Sequence, residues 1–186
     1  FHFFCETGQL KRVPRSGWWT AGIKNPESVA DHSFRCAVIG YCLALMEDVD
    51  PYKTALLCLF NDLHEARIND LHKVCQKYIS LRDAEKKAHR DQMKSLPTKI
   101  SKELGSLMNE LWDDKTPEAN LARDADILEC MVQGKEYFDQ GFSQTYDFFM
   151  KKSPHLLSSQ SARLMAKELK TADVRTWLKQ LVVIER

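Results

Sequence analysis

The sequence has little glycine and little proline, 7 and 6 in 186 residues, and most of these fall between stretches of helical spacing. Strand-like alternation, internal repeats and low-complexity tracts are lacking too, which leaves an all-α reading. There is no Cys-x-x-Cys. The 6 cysteines, Cys5, Cys36, Cys42, Cys58, Cys75 and Cys130, are scattered through apolar helical contexts. That argues against a zinc–thiolate site and for reduced, buried thiols in a cytoplasmic protein. Neither charge is in excess, with 27 Lys plus Arg against 26 Asp plus Glu. Without a basic surplus to release phosphate counterions, a nucleic-acid partner is not expected. No apolar run approaches the roughly 20 residues of a membrane helix, so no membrane partner is expected either. No signal peptide is visible, although the chain opens at Phe1 rather than Met, which leaves a lost leader open.

What is present is helical periodicity. Hydrophobic residues make up 44% and charged residues 28%, ordinary for a globular chain long enough to bury one core. The expectation is a single all-α domain over 1–186 with about six to nine helices. Residues 1–11 read as a short helix ended near Gly8, and 12–27, with Pro14, Gly17, Gly22 and Pro26, as a loop. Ser28 or Asn25 caps a helix to about Glu47. A turn at 48–51 leads into a helix from about Tyr52 to Ala66. Further helices are expected over 84–95, from Pro97 to about Trp112, from Pro117 to about Phe138, and, one or two of them, from about Ser158 to Glu185. The loops at 12–27 and 67–83 are long for a simple bundle, so a globular α fold is expected.

The stretch FNDLHEARIND, residues 60–70, breaks this pattern. A core-like helix turns polar at its end, and Asn61, Asp62, His64, Glu65, Asn69 and Asp70 are all types that ligate metals or move protons. Asp62 and Glu65 share a helix face, and a buried carboxylate pair without a cation is costly. A solvated helix end explains the stretch equally well on composition alone. On the preceding helix His32, Cys36, Ile39 and Leu43 are spaced i, i+4, i+7, i+11, so His32 lies on the core stripe. A lone histidine there is most simply a core residue with one hydrogen bond. On the helix of Asn120–Glu136 the apolar stripe is Leu121, Ala125, Leu128 and Val132, with Asp124 close to it. Asp126 lies opposite, with the small residues Ala122 and Cys130. Periodicity alone selects Asp124 as the inward acid, unless this helix is buried on two faces.

Taken in order, LKRVPRSGW at 10–18, PESVADHSFRCA at 26–37, NDLHEARIND at 61–70 and EANLARDADILE at 118–129 resemble the HD-domain metal-dependent phosphohydrolases, in particular the 5′-deoxynucleotidase branch. The resemblance runs through nearly the whole chain, and the set is specific where any one piece is weak. It implies the all-α fold, hydrolysis of (deoxy)ribonucleoside 5′-monophosphates to nucleoside and phosphate, one divalent metal ion (Mn²⁺, Co²⁺, Zn²⁺ or similar) and a homodimer. The implied ligands are His32, Asn61, Asp62 and Asp126, the last chosen over Asp124 by its Ala-Asp-x-Leu context. Asn61 is a departure, because the family has His there, and an amide oxygen is a weaker, harder donor than imidazole. The metal then binds more weakly through Asn61 oxygen or water, or the site is disabled, or His64 reaches in from a neighbouring face.

The resemblance also implies roles. Glu65 and Asp70 become the acid/base pair. Arg15 clamps phosphate bidentately. Trp18 packs against the sugar without room for a 2′-hydroxyl, with Trp19 as the alternative. Lys73 and Lys77 are either extra phosphate contacts or a solvated face. Two rival readings lack turnover: a nucleotide-binding HD-fold protein that lost its metal through Asn61, and a structural homodimer whose polar cluster is a buried network.

Overall fold

The computed structural model describes residues 1–181, and four of its helices start at a capping side chain. After α1 (His2–Thr7) the chain reaches Ser28, which caps α2 (Val29–Met46) in a reciprocal capping box with Asp31. Asp50 caps α3 (Pro51–Phe60) by accepting from the Tyr52 and Lys53 amides. Then come α4 (Glu65–Ile68), α5 (Leu81–Met93) and α6 (Thr98–Asp113). Thr116 caps α7 (Pro117–Asp139), with Pro117 in the first turn, and Ser159 caps α8 (Gln160–Leu169). The last described helix is α9 (Thr176–Leu181); the part of the expected tail helix beyond it, over 182–185, lies outside the described residues. Among the described residues there is no β-strand, only an isolated bridge between Pro14 and Ser28.

The core is built around α7, which packs against α2, α3 and α8. Leu121, Ala122, Ala125, Leu128 and Met131 are all buried, so α7 is covered on more than one face, and this is why its periodicity divides. At Gly40 of α2 an added Cβ would fall 2.5 Å from Cys58 Sγ. Glycine there allows α2 and α3 to approach. By length and composition α2 is apolar enough to cross a membrane, contrary to the expectation that no run would qualify. Its Val29, Cys36, Leu43 and Ala44 are buried, and its packing against α3 and α7 is that of a core helix.

Three stretches differ from the sequence expectation. The helix expected from Tyr52 to Ala66 stops at Phe60. The amides of Asn61, Leu63 and Glu65 bond to the carbonyls of Cys58, Phe60 and Asp62, three residues back, so the chain tightens into turns before α4. The loop over 12–27 contains a 3₁₀ helix, Ser16–Ala21, closed by Gly22 at φ 83°. A π-helical stretch, Tyr146–Lys152, follows α7 where nothing was expected.

Candidate active site

The tight turn after α3 decides where the polar residues go. In turns of three residues, positions i and i+3 eclipse, so Asp62 and Glu65 come out on one side. Opposite them stand His32, from the start of α2, and Asp126, from the first half of α7. His32 Nε2 lies 2.9 Å from Asp126 Oδ1 and 3.6 Å from Asp62 Oδ2. Behind the ring, Nδ1 donates to Glu129 Oε2 at 2.5 Å. Glu129 Oε1 accepts from Arg35 Nε at 2.8 Å, and Arg35 also donates to both oxygens of Glu136 and to Gln133. Glu27 sits beside Arg35 at 3.7 Å and accepts the Trp18 indole N–H at 3.0 Å. One polar network therefore runs from Trp18 to His32. Sequence reasoning missed Glu27, Arg35 and Glu129. A signal existed for two of them: Arg35 follows His32 by three and Glu129 follows Asp126 by three, so each shares a face with an implied ligand.

Arg15 enters from the loop before the 3₁₀ helix. Its Nη1 is 3.7 Å from Asp62 Oδ2, and its Nη2 is 4.0 Å from Asp126 Oδ1 and donates to Cys130 Sγ at 3.3 Å. The loop is pinned from the other side. Asn69 holds φ 62° and ψ 167°, a conformation nearly confined to glycine that stores about 1–3 kcal/mol of strain. The next residue, Asp70, accepts the Ser16 amide N–H at 2.6 Å through Oδ2, and its backbone carbonyl accepts the Ser16 hydroxyl at 2.8 Å. Trp18 is buried against Phe149 and Tyr137, with ring centroids 4.1 and 5.1 Å away, yet still lines the cavity. Trp19 is half exposed and does not line it. Lys73 lines the cavity and Lys77 does not.

That cavity measures about 410 Å³. Arg15, Asp62, Glu65, Asp70 and Asp126 line it, together with Trp18, Ile127, Phe149 and Leu156. His64 also lines it but has its Nε2 3.7 Å from Glu85 Oε1, and it does not join His32 and Asp126. Asp124, the acid that periodicity selects, accepts the Ser158 and Ser159 amides at 2.8 and 2.7 Å and holds the start of α8 instead. Asn61 donates its amide to Asp62 Oδ1 at 2.9 Å. It stands between the main cavity and a smaller one of about 100 Å³ lined by Cys36 and Cys58.

The electrostatics are those of crowded acids. Burial, then the charges of Asp62 and Asp70, hold the Glu65 carboxyl well above the usual range. Burial likewise raises Asp62. Burial also opposes the charged form of Asp126, but the hydrogen bond and charge of His32 outweigh it and keep this carboxyl low. For His32, burial and Arg15 disfavour the proton, yet Asp126 and Glu129 outweigh them and raise its affinity for it. The residues present fit a divalent cation. One imidazole and two carboxylates converge, the imidazole is backed by a buried carboxylate as metal-ligand histidines are, and Glu65 Oε2 has no partner.

The sequence pattern of the HD domain family matches residues 7–177. The chain belongs to the HD domain family. Among related HD-domain proteins, the 5′-deoxynucleotidase HDDC2 of Dictyostelium discoideum is 35% identical over 147 residues, covering 74% of this chain and 77% of its own. The human 5′-deoxynucleotidase HDDC2 is 32% identical over 141 residues, covering 74% of this chain and 67% of its own. A solved structure of a conserved hypothetical protein from Pyrococcus furiosus superposes with a TM-score of 0.76 at 33% identity, covering 92% of this HD-domain chain and 99% of the other.

Proposed function

We propose that this protein is a divalent-metal-dependent phosphohydrolase that releases phosphate from nucleoside 5′-monophosphates, deoxyribonucleotides in preference, acting as a single domain over 1–186. One observation carries the reading: His32 Nε2, Asp62 Oδ2 and Asp126 Oδ1 converge with the Arg15 guanidinium at a cavity of about 410 Å³. That volume suits a mononucleotide, and the cavity's apolar wall of Trp18, Ile127, Phe149 and Leu156 suits a sugar and base. The relatives named 5′-deoxynucleotidase support the substrate class.

His32, Asp62 and Asp126 would hold the ion, with position 61 beside them. A bound divalent ion supplies charge neutralisation on the phosphoryl oxygens and acidifies water. The chain's own residues do the rest. Arg15 binds phosphate oxygens and aligns the phosphorus. Glu65, held above the usual carboxylate range by burial and its acidic neighbours, carries a proton to the leaving 5′-oxygen. Asp70 is the second acid/base group and, through Ser16, also fixes the Arg15 loop. Trp18 is the wall that leaves the 2′-position no partner.

The test is phosphate release from matched deoxyribonucleoside and ribonucleoside 5′-monophosphates by protein loaded with Mn²⁺, Co²⁺ or Zn²⁺. The expected result is release from both, with the higher kcat/KM for the deoxy series. Nucleotide binding without release from any substrate would instead favour the nucleotide-binding rival. We also place the enzyme in the cytoplasm as a homodimer. Its cysteines are all unpaired, which suits a reducing compartment, although only Cys36 and Cys58 are buried as expected and Cys5, Cys42 and Cys75 are exposed. Phe34, Val38 and Leu45 form an exposed apolar stripe on α2 that suits a second copy, and sedimentation at micromolar concentration checks it.

A further inference from the structure

We propose that Cys130 is a metal ligand in this protein, its sulfur completing the donor set that Asn61 leaves short. This rests on the metal-dependent reading above. A hydrolytic zinc-type ion keeps one position for water beside its protein donors and expands to five-coordinate, so a fourth protein donor leaves the water its place. His32, Asp62 and Asp126 supply three strong donors. Asn61 gives its amide N–H to Asp62 Oδ1, and its oxygen is a weak donor. Cys130 follows Asp126 by four on α7, so both side chains leave the same helix face. The ligand atoms of His32, Asp126 and Cys130 all lie within 4.8 Å of one another.

The sulfur is also turned inward. Arg15 Nη2 donates to Cys130 Sγ at 3.3 Å, so the thiol sits beside a permanent cation and the Asp126 carboxylate, and with burial pushing its pKa up to about 12 it gives up its proton only to a bound metal ion. Glu65, nine-tenths buried in the same cavity, presents an Oε2 with no partner, a second sign that an electropositive group belongs there. The two fully buried thiols, Cys36 and Cys58, line the separate cavity of about 100 Å³ behind Asn61 and do not join the His32–Asp126 donors. As the sulfur–metal bond forms, the thiol proton passes to solvent and no oxidant or reductant takes part. A sulfur donor shifts preference toward Zn²⁺ and Co²⁺ and away from Mg²⁺ and Mn²⁺. This differs from a multi-cysteine zinc site, which the cysteine spacing argues against.

The experiment is optical spectroscopy of the whole protein loaded with Co²⁺, beside X-ray absorption of the Zn²⁺ form. The expected result is a near-ultraviolet sulfur-to-cobalt charge-transfer band and a sulfur shell at about 2.3 Å from zinc. Cys130→Ser loses the band and binds Co²⁺ roughly tenfold or more weakly, whereas Cys36→Ser and Cys58→Ser keep the band. No Co²⁺ bound, bound Co²⁺ without the band, zinc without a sulfur shell, or a band that survives Cys130→Ser each overturns the assignment. The wild-type spectra decide even if the Cys130 variant does not fold. Phosphate release without the band overturns the sulfur ligand and leaves the phosphohydrolase reading standing. The band without release from any nucleotide does the reverse.

Discussion

Glu129 holds the far side of His32. Its Oε2 accepts the Nδ1 proton at 2.5 Å, and the two side chains are 0% and 1% exposed. A histidine anchored in this way keeps one ring orientation, with Nε2 aimed between Asp62 and Asp126. Arg35, itself partly exposed, holds Glu129 in turn, so this contact belongs to a chain of charges that runs toward the surface rather than to one isolated pair.

Glu129→Gln keeps the volume and breaks the symmetry of that contact. The amide oxygen can accept from His32 or from Arg35, but its N–H₂ then faces the other donor. Metal affinity is expected to fall about 10–100-fold, as it does when the partner of a ligand histidine is removed. Loss of one member of a buried charge pair costs about 3 kcal/mol of stability. Calorimetric metal titration and urea unfolding measure the two effects. Unchanged metal affinity would refute the positioning role.

Glu65→Gln removes the acid and leaves the shape. Bound metal is expected to stay, and kcat to drop by roughly 10²–10⁴. Elemental analysis beside a turnover assay separates the two quantities. A variant that loses its metal would make Glu65 a ligand instead of a proton donor.

Asn61→His adds an imidazole donor at the turn after α3. The adjoining cavity of about 100 Å³ gives the larger ring room. Zn²⁺ affinity is expected to rise roughly tenfold or more, or about 1.4 kcal/mol. Competition with a chromophoric chelator reads this directly. No change would mean that position 61 does not face the ion.

Part of this arrangement was legible in the sequence. Ser28, the turn at 48–51 and Pro117 announce their helices locally, and the starts of α2, α3 and α7 follow from them to within a residue. The break at 61–64 was legible only as a change from apolar to polar after Phe60, because no glycine or proline marks the switch to three-residue hydrogen bonds. Asp124 misled the periodicity argument: its partners are backbone amides 34 and 35 residues away, and a helical wheel cannot see them. Glu129 and Arg35 are 94 residues apart, so only packing of α2 on α7 reveals the pair. Cys130 had a spacing signal, four after Asp126, but small size made it read as core.

Glu27 predicts an unusual pH dependence of stability. Burial first, and then the charge of Glu129, push its carboxyl from 4.5 up to about 7. The folded-state value is the higher one, so the folded protein holds this proton more tightly than the unfolded chain does. Its contribution is full below about 4.5 and is lost as pH rises through about 7. Wild-type stability is therefore expected to fall relative to Glu27→Gln between pH 5 and 7.5. Urea unfolding at both values checks it, and parallel pH profiles would contradict it.

The most direct test of the whole account is a metal titration of chelator-stripped protein, with phosphate release from a deoxyribonucleoside 5′-monophosphate followed at each addition. The account predicts no release from the stripped protein, a linear rise to a plateau at one ion per chain, and no plateau for Asp126→Asn at the same metal concentrations. Release that does not depend on added metal, or one bound ion per chain with no release, would contradict it.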